Sequence, residues 1–355
     1  MIKPYTALAV QSGWPRIYKK EDIKDVAIPH VKRLIEFAMP AANWEAPVKL
    51  IAIPEGALTG WWAEFVFDHI TFAREMAVES VPGEETELLG EIAKKYNCYL
   101  MGCVKSRDDE LIKDRYFNIA FLIDPKGEVI LKHYKLQLIA ESRSTTPHDV
   151  WDAFTSKYGD GLDAFFQVVD TEIGRIGLTI CMEGSYPEIY RAYAMQGAEI
   201  IYRPSYVEPW CSGPGVSWWE IQNRARALDN NFYVICPGDG PRYHNVETAV
   251  NFSGGNSMIV DYKGQVLSGC DSTIEGYCNA VLNIEALRNH REMALFGNWL
   301  PTLRTEYFNK LYDKPIFPKN KWMEKTTGTR DEYLTMLRGT IKKFQDEGIY
   351  LVPSA

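Results

Sequence analysis

Three side chains of this 355-residue sequence, a thiol, a carboxylate and an ammonium, follow segments that are predicted to be buried strands. Cys181 comes after an apolar run and just before a predicted helix, and Glu55 follows the apolar run 50–53. Lys135 follows the second strand of a predicted hairpin. A thiol nucleophile, a carboxylate base and a fixed cation are the groups that acyl transfer through a thioester requires.

Each of these three signals is weak when it is taken alone. A cysteine in an unknown context is most often buried and inert. A glutamate after a strand is most often an exposed turn residue, and a lysine at a strand edge is usually a solvated charge. The hypothesis of a catalytic site therefore depends on the combination, which occurs in the order Glu55, Lys135, Cys181 along the chain.

The elements that must position these residues alternate between strands and helices, which is typical of an α/β fold. Strands are predicted at 5–10, 49–54, 99–104, 175–180, 199–202 and 232–236, and helices at 22–38, 86–96, 186–196, 218–230 and 330–346. Two hairpins, at 117–131 and 257–267, turn at the sequence Asp-x-Lys-Gly. Because open α/β sheets bind ligands at the carboxyl ends of their strands, Cys181 and Glu55 occupy favourable places.

The composition limits the class of protein. Hydrophobic residues make up 46% of the chain, which is enough for a full core, and the net charge of −8 argues against a nucleic-acid partner. No run approaches about 18 apolar residues, so we expect no membrane span and no membrane partner. The seven cysteines and six histidines are scattered, so we expect no disulfide framework, no metal and a cytoplasmic location.

Four segments of the sequence resemble motifs of the nitrilase superfamily of carbon–nitrogen hydrolases. They are residues 53–55 (Ile-Pro-Glu), 133–136 (His-Tyr-Lys-Leu), 180–188 (Ile-Cys-Met-Glu-Gly-Ser-Tyr-Pro-Glu) and 224–230 (Arg-Ala-Arg-Ala-Leu-Asp-Asn). The resemblance implies a four-layer α-β-β-α sandwich in a hydrolase domain of residues 1–290. Residues 291–355 are then a C-terminal extension, which we expect to pack on the core or on a neighbouring subunit.

The resemblance also implies a role for individual residues. Glu55 would be the general base, Cys181 the nucleophile and Lys135 the oxyanion stabiliser, assisted by the backbone N–H of Met182. Members of the superfamily often have a second glutamate between the lysine and the cysteine. Glu141 is the best candidate for it, and the alternative is that Glu141 is an acidic residue of a surface loop.

The residues around the cysteine are nearest to those of the aliphatic amidase and formamidase branch. Nitrile-hydrolysing members usually have tryptophan directly after the cysteine, whereas this chain has Met182. The resemblance thus implies hydrolysis of a small-molecule amide to a carboxylic acid and ammonia. The alternatives are a nitrilase, an N-carbamoyl amide hydrolase and, from a different class, a catalytically silent binding protein on the same fold.

Aromatic residues near the predicted strand ends are candidates for binding the acyl group of the substrate. Trp61 follows the predicted base closely, and Tyr206 and Trp210 follow the strand after the nucleophile helix. Alternatively, these side chains pack in the core or at a subunit interface. The superfamily also implies a homo-oligomer, either a dimer or a multiple of dimers, for which Tyr190 and Tyr193 could form an interface stripe or equally belong to the core.

Overall fold

Two six-stranded sheets lie face to face in the protein, and each is covered by helices on its outer side. The computed structural model describes residues 1–13, 17–140, 143–208, 211, 217–243, 249–251, 253–270, 273–294 and 296–353. The order of layers is therefore helix, sheet, sheet, helix. This is the four-layer α-β-β-α sandwich that the sequence predicts.

The strands of the first sheet run in the order β14 (Gly276–Leu282), β1 (Tyr5–Gln11), β2 (Val48–Ala52), β3 (Tyr99–Arg107), β4 (Tyr116–Ile123) and β5 (Val129–Tyr134). Those of the second run β13 (Val266–Gly269), β12 (Met258–Val260), β9 (Tyr233–Cys236), β8 (Ile200–Tyr202), β7 (Gly174–Leu178) and β6 (Val168–Thr171). A short hairpin adds β10 (Arg242–Tyr243) and β11 (Ala249–Asn251). Strands β1 to β3 and β7 to β9 pair in parallel, so their carboxyl ends lie at one edge of each sheet.

The helices among the described residues are α1 (Ile28–Ala42), α2 (Trp62–Val66), α3 (His69–Glu75), α4 (Glu84–Tyr96), α5 (Trp151–Tyr158), α6 (Leu162–Phe165), α7 (Pro187–Met195), α8 (Trp218–Asn230), α9 (Ile284–Glu292), α10 (Thr305–Phe308) and α11 (Arg330–Asp346). Helices α1 and α4 cover the first sheet, and α7 and α8 cover the second. None of the described helices is both long enough and apolar enough to cross a bilayer.

Successive side chains of a strand point to opposite faces of its sheet, so they belong to two different cores: one lies between the sheets and the other lies under the outer helices. In β1, Ala7 and Ala9 face the second sheet, whereas Leu8 and Val10 face the helices. The small side chains between the sheets allow the two layers to approach closely. Tyr202 of β8 crosses this space and donates a hydrogen bond from its hydroxyl to the backbone oxygen of Ile53 at 2.5 Å. The sheet that carries the cysteine is thus tied to the strand end that carries Glu55.

The predicted helix at 22–38 is present, but its two ends differ from the prediction. It begins with one π-helical turn, Ile23–Ala27, and α1 then continues to Ala42. Pro29 lies just after this π-helical turn, and it has no N–H to donate to the carbonyl groups of that turn. The helix continues through Pro40 to Ala42, so the predicted end at residue 38 is too early.

The C-terminal segment packs in part on the rest of the chain. The buried Trp322 donates its backbone N–H to the oxygen of Asp149 at 3.1 Å and accepts a hydrogen bond from Arg115 at 3.3 Å. Tyr333 of α11 donates its hydroxyl to the backbone oxygen of Leu138 at 3.2 Å. The extension therefore contacts the loop that follows Lys135.

Candidate active site

Cys181 lies in a sharp turn shortly after β7 ends, at the start of the 3₁₀ helix Cys181–Ser185. Its φ of +53° falls in the left-handed region, which residues other than glycine adopt rarely and mostly where the surroundings enforce it. The backbone N–H of Cys181 donates to Pro204 O at 2.8 Å, and its oxygen accepts from Arg203 Nε at 3.2 Å. Bonds to the segment that follows β8 thus hold the turn in place.

Glu55 is buried three residues beyond the end of β2, and protein donors surround its carboxylate. Oε1 accepts from Lys135 Nζ and from Asn118 Nδ2, both at 2.8 Å. Oε2 accepts from the backbone N–H of Tyr206 at 3.2 Å. The carboxylate also interacts electrostatically with the Cys181 thiol. The interpretation of Glu55 as an exposed turn residue is wrong, because its carboxylate is buried among donors that stabilise an ionised acid in the interior.

Lys135 follows β5 directly and is as deeply buried as Glu55, each being 1% exposed. Its backbone N–H donates to Asn118 O at 2.9 Å, which aligns the lysine with the start of β4. The interpretation of Lys135 as a solvated edge charge is therefore wrong. The structure brings the predicted thiol, carboxylate and ammonium together, although β7, β2 and β5 supply them separately.

The charges of this cluster follow from burial and mutual attraction. Burial raises the pKa of Glu55, but the ammonium groups of Lys135 and Lys105 outweigh it and hold that pKa below its usual range. Burial and the negative charge of Glu55 together raise the pKa of the Cys181 thiol to about 12. Burial lowers the pKa of Lys135, yet its anionic neighbours raise it above the usual value. At neutral pH the site holds a neutral thiol, a carboxylate and an ammonium.

Ser205 and Asn118 complete the immediate surroundings, and the sequence analysis missed both. Ser205 Oγ donates to Cys181 Sγ at 3.3 Å, and Asn118 donates to Glu55. A signal for Asn118 did exist, because it is an amide in an otherwise apolar segment that forms β4, a strand buried along its whole length. A polar residue in such a strand requires a hydrogen-bond partner.

Glu183, which received no role from the sequence, joins the segments that carry the lysine and the cysteine. Its Oε1 accepts from the backbone N–H of Leu136 at 2.7 Å, and its Oε2 accepts from that of Ile180 at 2.5 Å. His133 Nε2 lies 3.0 Å from both oxygens. This fully buried carboxylate therefore fixes the distance between the end of β5 and the turn of Cys181.

A second buried ion pair adjoins the site. Lys105 of β3 lies opposite Asn118 in the ladder between β3 and β4. Its Nζ is 3.2 Å from Oε1 of Glu64, which belongs to α2. Tyr116 donates its hydroxyl to the same carboxylate oxygen at 3.0 Å. The Lys105–Glu64 pair thus lies beside the pair of Lys135 and Glu55, and the sequence analysis did not identify it.

The predicted pocket residues are only partly described. Trp61 is buried, and its ring centroid lies 5.2 Å from that of the half-buried Tyr206. Met182 lies in the first turn of the 3₁₀ helix, where helical bonding does not use the backbone N–H groups. Glu141 and Trp210 lie outside the described residues. Within the described part of the chain, no group of three or more His, Cys, Asp or Glu side chains could hold a metal ion.

Replacing Lys135 with methionine removes the cation closest to Glu55. We expect it to reduce the free energy of unfolding by about 3–5 kcal/mol at pH 7, because a buried carboxylate loses its main partner. The pKa of folded Glu55 is lowered, so the ion pair stabilises the protein above the usual glutamate pKa of 4.5. The difference between Lys135→Met and the wild type should therefore shrink as the pH falls below 4.5.

Urea unfolding at pH 7 and at pH 4 measures this effect. The control is Lys94→Met, which breaks an exposed ion pair with Glu91 on α4 and should change stability far less. Equal losses at positions 94 and 135 would show that burial of the Lys135 pair contributes nothing to stability.

The model of the carbon-nitrogen hydrolase family matches residues 18–292, which is most of the chain. The chain belongs to the carbon-nitrogen hydrolase family. Among its relatives, the omega-amidase NIT2-B of Xenopus laevis is 28% identical over 226 residues, which are 60% of this chain and 72% of the relative. The deaminated glutathione amidase of Homo sapiens is 31% identical over 203 residues, but the match covers only 55% of that protein and 52% of this chain.

Solved structures of the family agree with the fold. Nit3 of Saccharomyces cerevisiae, a member of branch 10 of the nitrilase superfamily, superposes with a TM-score of 0.63 at 21% identity. The superposition covers 83% of this chain and 95% of Nit3. An amidase from Nesterenkonia sp. gives a TM-score of 0.61 at 17% identity and covers 86% of this chain and 96% of its own. These findings confirm the predicted superfamily and fold, while the branch stays a prediction.

Proposed function

We propose that this carbon–nitrogen hydrolase is an amidase, which converts a small-molecule amide to a carboxylic acid and ammonia through a thioester on Cys181. The observation that carries the proposal is the buried Glu55 carboxylate, which accepts a hydrogen bond from the Lys135 ammonium and is electrostatically coupled to the Cys181 thiol. The relatives named omega-amidase and deaminated glutathione amidase support an amide as the substrate.

In the first half of the reaction, Glu55 accepts the proton of the Cys181 thiol while Sγ attacks the carbonyl carbon of the amide. The carbonyl oxygen becomes an oxyanion, which the Lys135 ammonium and the backbone N–H of Met182 stabilise. Glu55 then donates its proton to the nitrogen, the C–N bond breaks and ammonia leaves. The general base is needed because the thiol, with a pKa of about 12, is neutral at pH 7.

In the second half, a water molecule takes the place of ammonia. Glu55 accepts a proton from the water as its oxygen attacks the thioester carbon, and Lys135 and Met182 again stabilise the oxyanion. The C–S bond breaks, the sulfur recovers the proton from Glu55, and the carboxylic acid leaves. Both halves use the same carboxylate, which agrees with its electrostatic interaction with the sulfur.

The aromatic pair Trp61 and Tyr206 is proposed to contact the acyl group. The backbone N–H of Tyr206 donates to Glu55, and its ring packs on Trp61, so these rings flank the carboxylate. The proposal extends to Trp210 as a further pocket residue and to Glu141 as the second glutamate of the site. Support for Glu141 is its place in the sequence, six residues after Lys135.

The remaining expectations from the sequence belong to the same proposal. Residues 1–290 would be the hydrolase domain and 291–355 an extension, in a cytoplasmic homo-oligomer formed of one or more dimers. The enzyme would need neither a metal nor a cofactor, because the steps above use only side chains, backbone and water. Its partner would be the small-molecule substrate, without nucleic acid or membrane.

Ammonia release from a mixed substrate panel tests the proposed function. The panel contains aliphatic and aromatic amides, the matching nitriles and N-carbamoyl amino acids. We expect ammonia and the carboxylic acid in equal amounts from at least one amide, and none from the corresponding nitrile. Ammonia from nitriles alone would favour a nitrilase, release from carbamoyl compounds alone would favour a carbamoyl hydrolase, and a silent panel would contradict the proposal.

A further inference from the structure

The buried ion pair of Lys105 and Glu64 has no part in the proposed reaction. We propose that Lys105 is a positioning residue that acts through Glu55: its ammonium keeps Glu55 a charged base, and Glu64 moderates this effect. The inference rests on the proposed function for its catalytic meaning. The electrostatic coupling between the two ion pairs, however, is a property of the folded protein that does not depend on the substrate.

The register of the first sheet places Lys105 beside the catalytic cluster. Lys105 lies two residues after Cys103, which faces the second sheet, so its side chain points into the same layer between the sheets. Across the ladder, Lys105 pairs with Asn118, whose side chain donates to Glu55 Oε1 at 2.8 Å. One asparagine thus lies next to both the second lysine and the catalytic carboxylate.

Because Lys105 is buried, its charge acts strongly on neighbouring groups, including Glu55. Lys105 is 1% exposed and Glu64 is fully buried, so water does not screen the pair. The Nζ of Lys105 lies 5.0 Å from the ring centroid of Trp61, and the Nζ of Lys135 lies 6.0 Å from the same centroid. One tryptophan ring therefore neighbours both ammonium groups, and the two cations belong to one electrostatic environment.

The groups that face Glu55 come from several elements packed around it. They are the cations Lys135 and Lys105, the thiols of Cys181 and Cys103, the hydroxyl of Tyr202, the amide of Asn118 and the backbone N–H of Tyr206. Burial raises the pKa of Glu55, and Lys135 followed by Lys105 lowers it. Glu64 opposes Lys105, since it is the carboxylate within ion-pair distance of that lysine.

Two neutral variants of this pair should move the titration of Glu55 in opposite directions. Lys105→Met removes a cation, and we expect the midpoint of Glu55 protonation to rise by about one pH unit. Glu64→Gln leaves Lys105 unopposed, so the midpoint should fall. The double variant should lie between the two single variants, because both charges are then absent. Lys105→Arg, which retains the cation, should stay close to the wild type.

Two measurements record the midpoint of Glu55 protonation. Infrared difference spectroscopy records the carboxylic acid band of Glu55, which is assigned by its disappearance in Glu55→Gln. The acidic limb of kcat/KM for a hydrolysed amide reports the same titration during catalysis. Lys94→Met, which removes an exposed cation, is the charge control and should leave both readouts unchanged. A purely structural role of Lys105 would not produce shifts of opposite sign.

Unchanged midpoints in both single variants, or shifts of the same sign, would overturn the inference. If Lys105→Met does not fold, Glu64→Gln and the double variant still test the inference. Glu64→Gln must lower the midpoint of Glu55 protonation, and the double variant must have a higher midpoint than Glu64→Gln. The infrared titration needs no substrate. A wild-type protein that hydrolyses no amide would therefore contradict the proposed function, while the coupling of Lys105 to Glu55 would still be decided.

Discussion

Cys181→Ala is expected to reduce ammonia release by at least about 10⁴-fold, because without the sulfur no thioester forms and the paired base has nothing to activate. The decrease should appear in kcat, while the substrate KM changes little. Steady-state ammonia release measures the loss. Mass spectrometry of the quenched wild-type protein should show an acyl adduct on Cys181 that the variant lacks.

Cys236→Ala is the matched control for this experiment. Cys236 is a fully buried thiol at the end of β9, and it faces the outer helices and not the space between the sheets. Its removal should leave turnover within a few-fold of the wild type. Substantial amide hydrolysis by Cys181→Ala would exclude covalent catalysis by this residue, and an equal loss in both variants would point to a folding defect.

Glu55→Gln is expected to reduce kcat/KM by about 10²–10⁴-fold. The amide oxygen of glutamine can still accept from Lys135 and Asn118, so the geometry of the site is retained. Glutamine cannot, however, accept the proton of the thiol or of the attacking water. Both halves of the reaction should slow, and no acyl adduct should accumulate beyond the wild-type level.

The pH profile makes the assignment of Glu55 specific. Because the pKa of Glu55 is lowered from 4.5, wild-type activity should persist below pH 4.5 and fall only as the pH drops through that lowered value. The residual activity of Glu55→Gln should lack this acidic limb. Glu91→Gln, which alters an exposed acid of α4, is the control and should keep both the rate and the profile. Near-normal turnover in Glu55→Gln would remove Glu55 from the mechanism.

Local patterns predicted the elements that depend on neighbours in the chain. The bounds of α8 and α11 agree with the predicted helices at 218–230 and 330–346, because apolar spacing and a hydroxyl cap at Ser217 or Thr329 mark each start. The hairpin turns at Asp-x-Lys-Gly are confirmed as well, between β4 and β5 and between β12 and β13. Such signals act within a few residues and need no knowledge of the fold.

The packing of the structure answered questions that the sequence left undecided. Tyr190 and Tyr193 could equally line an interface or the core, because an amphipathic helix shows an apolar face and not what covers it. In the structure both are fully buried against the second sheet. Tyr193 also contacts His133 at 3.1 Å, a bond between residues that are 60 positions apart.

The sequence by itself determined the α/β architecture and the three residue types that follow the ends of β2, β5 and β7, because strand periodicity and residue chemistry are local properties. Only the tertiary structure decided which polar residues join them. Asn118, Lys105 and Glu183 are buried polar residues, and a buried polar group can be satisfied by any donor or acceptor that the fold brings near. Most of their partners lie on other elements, namely the segments that follow β2 and β5 and the helix α2, so the assembly of the fold selected them.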